Sequence, residues 1–468
     1  MFALEDIIKV TKGQNLNGKI PFKKIAGVSI DSRTLRPGDL FIAVTGQRLD
    51  GHHFIAQAIS KGACAVIVSR EISIQTELPV ICVDNTTKAL GQIAHFHRSQ
   101  FNVPVIAITG SAGKTTTKEM LAAILGGQYR VLKNIKTENN QIGVSLTLLR
   151  LTKDHEVVVL ELGTNHPGEI RWLTEIAKPT IAVLTNIGTS HLEGLKSTEG
   201  VFKEKFDLVK FMDPSGVVIF NKDDSYLKTI EKKRIPQKKI SYAIKASADV
   251  KISALKASPD EIQFTVNQNN FSIRTIALHN VYNALAALCC AQCLKVREDI
   301  IKKGLTSFEN CHGRQEIKDI AGVRVINDSY NSNPISLKSA IETLNLFKTK
   351  GQKILVCADM LELGSQSKRW HERMGKIISE TTINTVLTLG SQTVYLFDQI
   401  KKKDRILSIH CQSLEEICQH LKRLCKSGDV VLIKGSRGMR MAQVMEFLER
   451  NLENMTTCST PGVEQVVV

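Results

Sequence analysis

Four runs of uninterrupted apolar residues stand out in the middle of the chain. They are Val105-Ile106-Ala107-Ile108-Thr109, Val157-Val158-Val159-Leu160, Ile181-Ala182-Val183-Leu184 and Val217-Val218-Ile219-Phe220. Polar residues follow each run, and helix-length stretches separate them. A strand that is apolar at every position is buried on both faces, as in a parallel sheet covered by helices on both sides. The rhythm resumes from about residue 312, with Arg324-Val325-Ile326, Ile354-Leu355-Val356-Cys357, Thr385-Val386-Leu387 and Val430-Val431-Leu432-Ile433 as strand candidates. Between the two stretches, residues 250–276 read as hairpins, with a helix expected from about Tyr282. The first hundred residues mix short elements. Two strands are expected around a Pro37-Gly38-Asp39 turn, at residues 28–33 and 40–44. A helix over 53–61 should stop at Gly62, before a strand Ala65-Val66-Ile67-Val68. The pattern predicts an α/β protein of three domains: 1–100, a doubly wound central domain at 101–311, and a Rossmann-like C-terminal domain at 312–454. Residues 455–468 read as a disordered tail. A length of 468 residues agrees, at about 150 residues per domain.

Charge narrows the partners. The net charge of +16, from 62 basic and 46 acidic residues, favours polyanionic company. The densest basic run, Lys232-Lys233-Arg234 and then Lys238-Lys239, lacks interleaved aromatics to stack bases. It reads as a solvated loop, so phosphorylated small molecules are expected and nucleic acid is not. The N-terminus has no basic, apolar leader, and no run is long enough to cross a bilayer, so neither export nor membrane insertion is expected. The 11 cysteines are scattered without framework spacing, which suits reduced thiols in a cytoplasmic protein. Cys290-Ala291-Gln292-Cys293 lacks a second pair and sits in a helix-like run. Cys411, Cys418 and Cys425 recur every seven residues, as on one helical face. Both groups read as small core residues.

The chemistry begins directly after the first buried run. Gly110-Ser111-Ala112-Gly113-Lys114-Thr115-Thr116 lies between a predicted strand and a predicted helix. In that order, backbone N–H groups and a helix N-terminus cradle phosphates. Lys114 can reach the β- and γ-phosphates, and the Thr115 hydroxyl can ligate Mg²⁺. The spacing is two residues shorter than the usual phosphate loop.

That shortened loop resembles the ATP loop of the Mur ligase superfamily, whose pattern is G-[ST]-x-G-K-[ST]-[ST]; Ala112 stands where many members carry Asn. The resemblance continues in family order along nearly the whole chain. Glu161, ending the next buried strand, matches the family's Mg²⁺-binding glutamate, and a carboxylate there faces the crevice where α/β sheets bind ligands. His191, in Gly188-Thr189-Ser190-His191, matches the ligand of a second Mg²⁺, although a lone histidine would otherwise be read as structural. Fourteen residues later Lys205 matches the family's carbamylated lysine, with Lys203 a rival for the register. His279-Asn280-Val281-Tyr282-Asn283 resembles the helix whose asparagine, here Asn283, meets adenine, and Asn140 is a second candidate near the base. Arg314 marks entry to the last domain and is implied to bind nucleotide.

Within the family, three C-terminal segments point to the member that adds D-alanyl-D-alanine. They are Asn327-Asp328-Ser329-Tyr330-Asn331-Ser332-Asn333-Pro334, Asp359-Met360-Leu361-Glu362-Leu363-Gly364 and Lys434-Gly435-Ser436-Arg437. Asp328, Asn331, Asn333 and Asp359 are the residues implied to hold substrate there. Ser32 and Arg33, with Asp50, Gly51 and His52, resemble the N-terminal module that holds the UDP-sugar. The resemblance therefore implies an ATP- and Mg²⁺-dependent amide-bond ligase, acting as a monomer. Its substrates would be ATP, D-alanyl-D-alanine and UDP-muramoyl tripeptide. The alternatives left open are a relative with a different amine substrate and a non-catalytic nucleotide-binding module.

Overall fold

A computed structural model describes residues 2–456 except 19–23, 47–48, 72–75, 136–137 and 259. Side chains beyond 451 lie outside the described residues, as does the expected disordered tail except for Met455 and Thr456, which end the helix Ala442–Thr456 instead. Three sheets follow one another along the chain. The first comprises β1 (Gln14–Asn15), β2 (Gly27–Ser29), β3 (Asp39–Ile42), β4 (Ala65–Val68) and β5 (Val80–Cys82), in the order β1-β5-β4-β3-β2. Of these, β2 to β5 are parallel, and β1 pairs antiparallel with β5.

The second sheet has nine strands: β6 (Val105–Thr109), β7 (Val131–Lys133), β8 (Val157–Glu161), β9 (Ile181–Leu184), β10 (Val217–Asn221), β11 (Lys238–Ala243), β12 (Val250–Ala257), β13 (Ile262–Val266) and β14 (Asn269–Ile273). Their order is β14-β13-β12-β11-β10-β9-β6-β8-β7. All pairs from β7 through β12 are parallel, and β13 and β14 extend the sheet as antiparallel hairpins. β6, β8 and β9 are buried along their full length, which is why their sequences carry no alternation. The order reverses at β6, between β8 and β9. Loops leaving the carboxyl ends of strands diverge at such a switch point, and a crevice opens there.

The third sheet holds β15 (Glu316–Ile320), β16 (Val323–Asp328), β17 (Lys353–Ala358), β18 (Thr385–Leu389), β19 (Leu407–Cys411) and β20 (Val430–Lys434). Its order is β15-β16-β20-β17-β18-β19, parallel except for β15 at one edge. One apolar cluster runs from Leu90 and Ile93 in the first unit, through Leu148 and Leu173, to Leu337 and Ile341 in the third. The helix Thr86–Ser99 is fastened to the second unit by Arg98 Nε, which donates to Ala177 O at 3.1 Å, and by His97 Nε2, 2.8 Å from Leu151 O.

Several sequence expectations shift in detail. The stretch 28–33 is strand only to Ser29; Arg33 N donates to Asp31 Oδ1 at 2.9 Å, so the rest is a turn closed by its own aspartate. The helix expected over 53–61 is a 3₁₀ turn, Gly51–Phe54, followed by Ile55–Ser60. The helix expected from Tyr282 begins three residues earlier, at His279. Cys411 ends β19, whereas Cys418 lies in the helix Leu414–Leu424 and Cys425 caps it. The seven-residue spacing therefore spans a strand and a helix rather than one helical face, although all three pack on the same core. The basic run is not a free loop. Lys233 Nζ stands 5.1 Å over the Phe206 ring, Lys239 Nζ donates to Glu231 O at 2.7 Å, and Lys238 opens β11.

Candidate active site

β6 delivers the chain into the Gly-rich turn, and the helix Lys114–Leu125 leaves it. Gly113 sits at φ 82°, a left-handed backbone that reverses the chain, and a Cβ there would lie 2.3 Å from Asn283 Oδ1. The turn is held from the β9 loop. Ala112 N donates to Asn186 Oδ1 at 2.8 Å, Asn186 Nδ2 donates to Ala112 O at 3.0 Å, and Ser111 N donates to Asn186 O at 3.0 Å. Asn186 is a support the sequence reading missed, and its side chain reaches only the backbone of Ala112. The first N–H groups of a helix have no intrahelical acceptor, and here they meet a cleft of about 600 Å³ lined by Gly113, Lys114 and Thr116.

Glu161, at the end of β8, is buried and has both oxygens engaged. Thr115 Oγ1 donates to Oε2 at 2.6 Å, and Asn139 Nδ2 donates to Oε1 at 2.8 Å. The sequence points instead to its neighbour Asn140, which lines the cleft, as Asn139 does, and caps the helix Gln141–Leu149 by accepting from Gly143 N at 2.9 Å. Lys114 Nζ donates to Gly110 O at 2.9 Å. Gly110 and Thr115 lie behind the cleft wall formed by their neighbours.

Lys205 lies within the helix Thr198–Phe211 and is 1% exposed. Its Nζ makes no hydrogen bond or salt bridge among the described residues. Burial, and then the nearby Lys114 charge, hold its ammonium well below the usual lysine range, with Glu204 and Glu161 opposing. Glu204 is itself occupied, accepting from Ile170 N at 2.8 Å and Gly168 N at 2.7 Å. Lys203 is different: it lies at the surface, 3.0 Å from Glu199.

The opposite wall comes from the third sheet and the helix His279–Cys293. Asn283 accepts from Thr117 Oγ1 at 3.2 Å and donates to Asn280 Oδ1 at 2.9 Å. His279 is half-buried at the cleft wall, and desolvation there, with Lys434 nearby, lowers its imidazole to about 4. Arg314 stacks on Tyr330, its guanidinium carbon 4.0 Å from the ring centre. Asp328, ending β16, pairs with the buried Lys434 of β20 at 2.6 Å, and Lys434 Nζ also donates to Asn331 O at 3.0 Å. Asn333 caps the helix Pro334–Leu346, and its Nδ2 donates across the cleft to Ser111 O at 3.2 Å. His191 Nδ1 lies 2.6 Å from Glu362 Oε2. Lys434 and Glu362 stand within recognisable motifs, but their partners are more than 100 residues away, so no local signal marks their role.

Six expected residues stand apart from this cleft. Ser32 Oγ donates to Gln57 Oε1 at 2.6 Å, and the Arg33 guanidinium is exposed beside Asp31. Asp50 accepts from His52 N at 3.0 Å and lies 2.6 Å from His52 Nδ1, while Ser69 N donates to His52 Nε2 at 3.0 Å. His52 is thereby held as its Nδ1–H tautomer, and Gly51 is buried beneath Ala43 and Val44. Asp359 Oδ1 accepts from Gln392 N at 3.0 Å and Thr393 N at 2.7 Å, at the start of the helix Thr393–Ile400.

A phosphate loop at a sheet's switch point, facing substrate-length loops of another sheet across one cleft, defines a nucleotide-dependent enzyme built from three α/β units. The matches agree with this. Residues 24–98 match the Mur ligase family catalytic domain, 108–291 the Mur ligase middle domain, and 313–437 the Mur ligase glutamate ligase domain. The chain belongs to the Mur ligase family. It is 35% identical to the UDP-N-acetylmuramoyl-tripeptide–D-alanyl-D-alanine ligase of Bacillus subtilis, with 95% of this chain and 98% of that protein covered. With the Escherichia coli ligase of the same name the identity is 33%, covering 93% and 97%. A crystal structure of MurF from Acinetobacter baumannii superposes with a TM-score of 0.89 at 31% identity, covering 96% and 99%. MurF from Thermotoga maritima in complex with ADP gives 0.83 at 29%, covering 92% and 99%. Among the described residues no helix is long and apolar enough to cross a membrane.

Proposed function

We propose that this chain joins D-alanyl-D-alanine to UDP-N-acetylmuramoyl-tripeptide at the expense of ATP, giving the UDP-linked pentapeptide from which peptidoglycan is built. The observation that carries the reading is the single cleft in which Lys114, Glu161 and His191 face Asp328, Asn331 and Asn333. The names shared by the similar proteins support the choice of substrates. In this reading the unit 1–100 holds the UDP-sugar through Ser32, Arg33, Asp50, Gly51 and His52. The unit 101–311 holds ATP, and the unit 312–454 holds the dipeptide through Asp328, Asn331 and Asn333, with Asp359 supporting the loops behind them. The enzyme works as a monomer in the cytoplasm, where ATP and nucleotide-linked sugars meet.

A carboxylate is a poor electrophile, so the tripeptide carboxylate first attacks the γ-phosphorus of ATP. The bond to the β-phosphate oxygen breaks, ADP departs and an acyl phosphate forms. The D-alanyl-D-alanine amine then attacks the acyl carbon, phosphate leaves with the bonding pair, and the amine gives up a proton. No enzyme nucleophile takes part; the chain supplies position and charge. Loop residues 110–116 surround the phosphates, Lys114 neutralises charge passing to the β-phosphate, Asn283 and Asn140 bound the base, and Arg314 closes over the nucleotide.

The donors fit Mg²⁺ with one condition. The Thr115 hydroxyl and Glu161 carboxylate are the oxygen ligands this ion prefers, but an ammonium beside it would repel. Lys205, unpaired and with its free amine favoured, fits as a carbamate, formed when the amine adds to CO₂ and loses a proton. Thr115, Glu161, His191 and carbamylated Lys205 would then hold the ions, which when bound would offset negative charge on the phosphates. Phosphate release from ATP with the UDP-tripeptide tests the reading. Release should require D-alanyl-D-alanine, with D-alanine or L-alanyl-L-alanine far poorer, because a site built to bond the extra amide penalises ligands without it. Equal rates with a single amino acid, or no amine-dependent release, would overturn it.

A further inference from the structure

We propose that Glu362 of the third unit is the positioning residue for His191 of the second, so that the cation site is completed across the inter-unit cleft. This rests on the reading of His191 as a metal ligand. The two side chains come from loops 171 residues apart, and Glu362 Oε2 lies 2.6 Å from His191 Nδ1. An ionised carboxylate only accepts, so Nδ1 must carry the proton. The lone pair is left on Nε2 of a side chain that lines the cleft. A carboxylate on the far nitrogen is the usual device for fixing the tautomer and orientation of a metal-bound histidine, and it makes the imidazole a better ligand.

The backbone around the pair is shaped for this meeting. His191 and Glu362 have φ values of 55° and 64°, a region that non-glycine residues seldom adopt. Glu193 N donates to Glu362 O at 3.2 Å, which fixes the second loop against the first independently of the side chains. Close packing nearby holds the same approach. A Cβ at Gly188 would stand 1.7 Å from Ile335 Cδ1, and Asn333 of the third unit donates to Ser111 O. Close packing at this seam therefore limits where the imidazole can be. Because Glu362 arrives with the third unit, metal affinity and closure of the cleft are linked, and each favours the other.

The test is a double-mutant cycle read by Mn²⁺ titration with electron paramagnetic resonance, on the full-length protein with a non-hydrolysable ATP analogue. Glu362→Ala should weaken Mn²⁺ binding about tenfold or more. Glu362→Asn, a residue type that tolerates the left-handed backbone but is one methylene too short, should do the same. Both variants should melt as single folded species near the parent's temperature. In a His191→Ala background the Glu362 substitutions should have no further effect, because a positioning residue acts only through its partner. No weakening by Glu362→Ala, or equal weakening with and without His191, would overturn the proposal. Unchanged Mn²⁺ binding by His191→Ala alone would instead remove His191 from the metal site.

Discussion

Gly113→Ala perturbs the phosphate loop at one atom. At φ 82° an alanine carries left-handed strain of about 1–2 kcal/mol. Its methyl would also lie 2.3 Å from Asn283 Oδ1, well inside contact, so either the loop or Asn283 must move. Moving Asn283 gives up the 3.2 Å bond from Thr117 Oγ1, a further loss of about 1 kcal/mol. In the free protein the loop can escape by shifting, so much of the cost falls on binding, when the nucleotide must restore its path. The sum is roughly 2–3 kcal/mol, or on the order of a hundredfold in ADP affinity at 1.4 kcal/mol per decade. Gly168→Ala is the control. It has φ 87° but nothing within 4 Å of the added methyl, so it carries the strain without the collision. Calorimetric titration with ADP, beside thermal melts of both variants, separates the two contributions. ADP affinity at parent level in Gly113→Ala, with a melting shift equal to that of Gly168→Ala, would refute the reasoning.

Two other outcomes are expected. Lys205→Met should abolish ligation, yet in metal-free, CO₂-depleted buffer it should raise the melting temperature. Replacing an unpaired buried amine, whose charged form burial disfavours, by an apolar chain of similar length removes an unsatisfied polar group costing roughly 1–3 kcal/mol; a lower melting temperature would mean the amine is well accommodated. Asp359→Ala should cost about 1–2 kcal/mol through loss of its bonds to Gln392 N and Thr393 N. Denaturant unfolding reads that cost, and a raised KM for D-alanyl-D-alanine without lost stability would show its carboxylate serving substrate instead.

What the sequence determined by itself is what local order can encode. β6, β8, β9 and β10 were legible because burial on both faces removes alternation. The Gly-rich turn was legible because strand, glycines, lysine and helix are contiguous, and their chemistry needs no distant partner. The strands with exposed or polar positions were not. β15 and β19 are half-exposed, β11 opens with two lysines, and pairing with a neighbour, not composition, makes them strands. Only the tertiary structure shows that Lys205 is buried and Lys203 exposed, since two lysines two residues apart in one helix have the same composition around them and opposite environments. It likewise brought Asn186 to the Gly-rich turn, Lys434 to Asp328 and Glu362 to His191. Hydrogen bonds are decided over about 3 Å, and which groups come that close across more than 70 residues of chain is set by how the sheets are ordered and how the units meet.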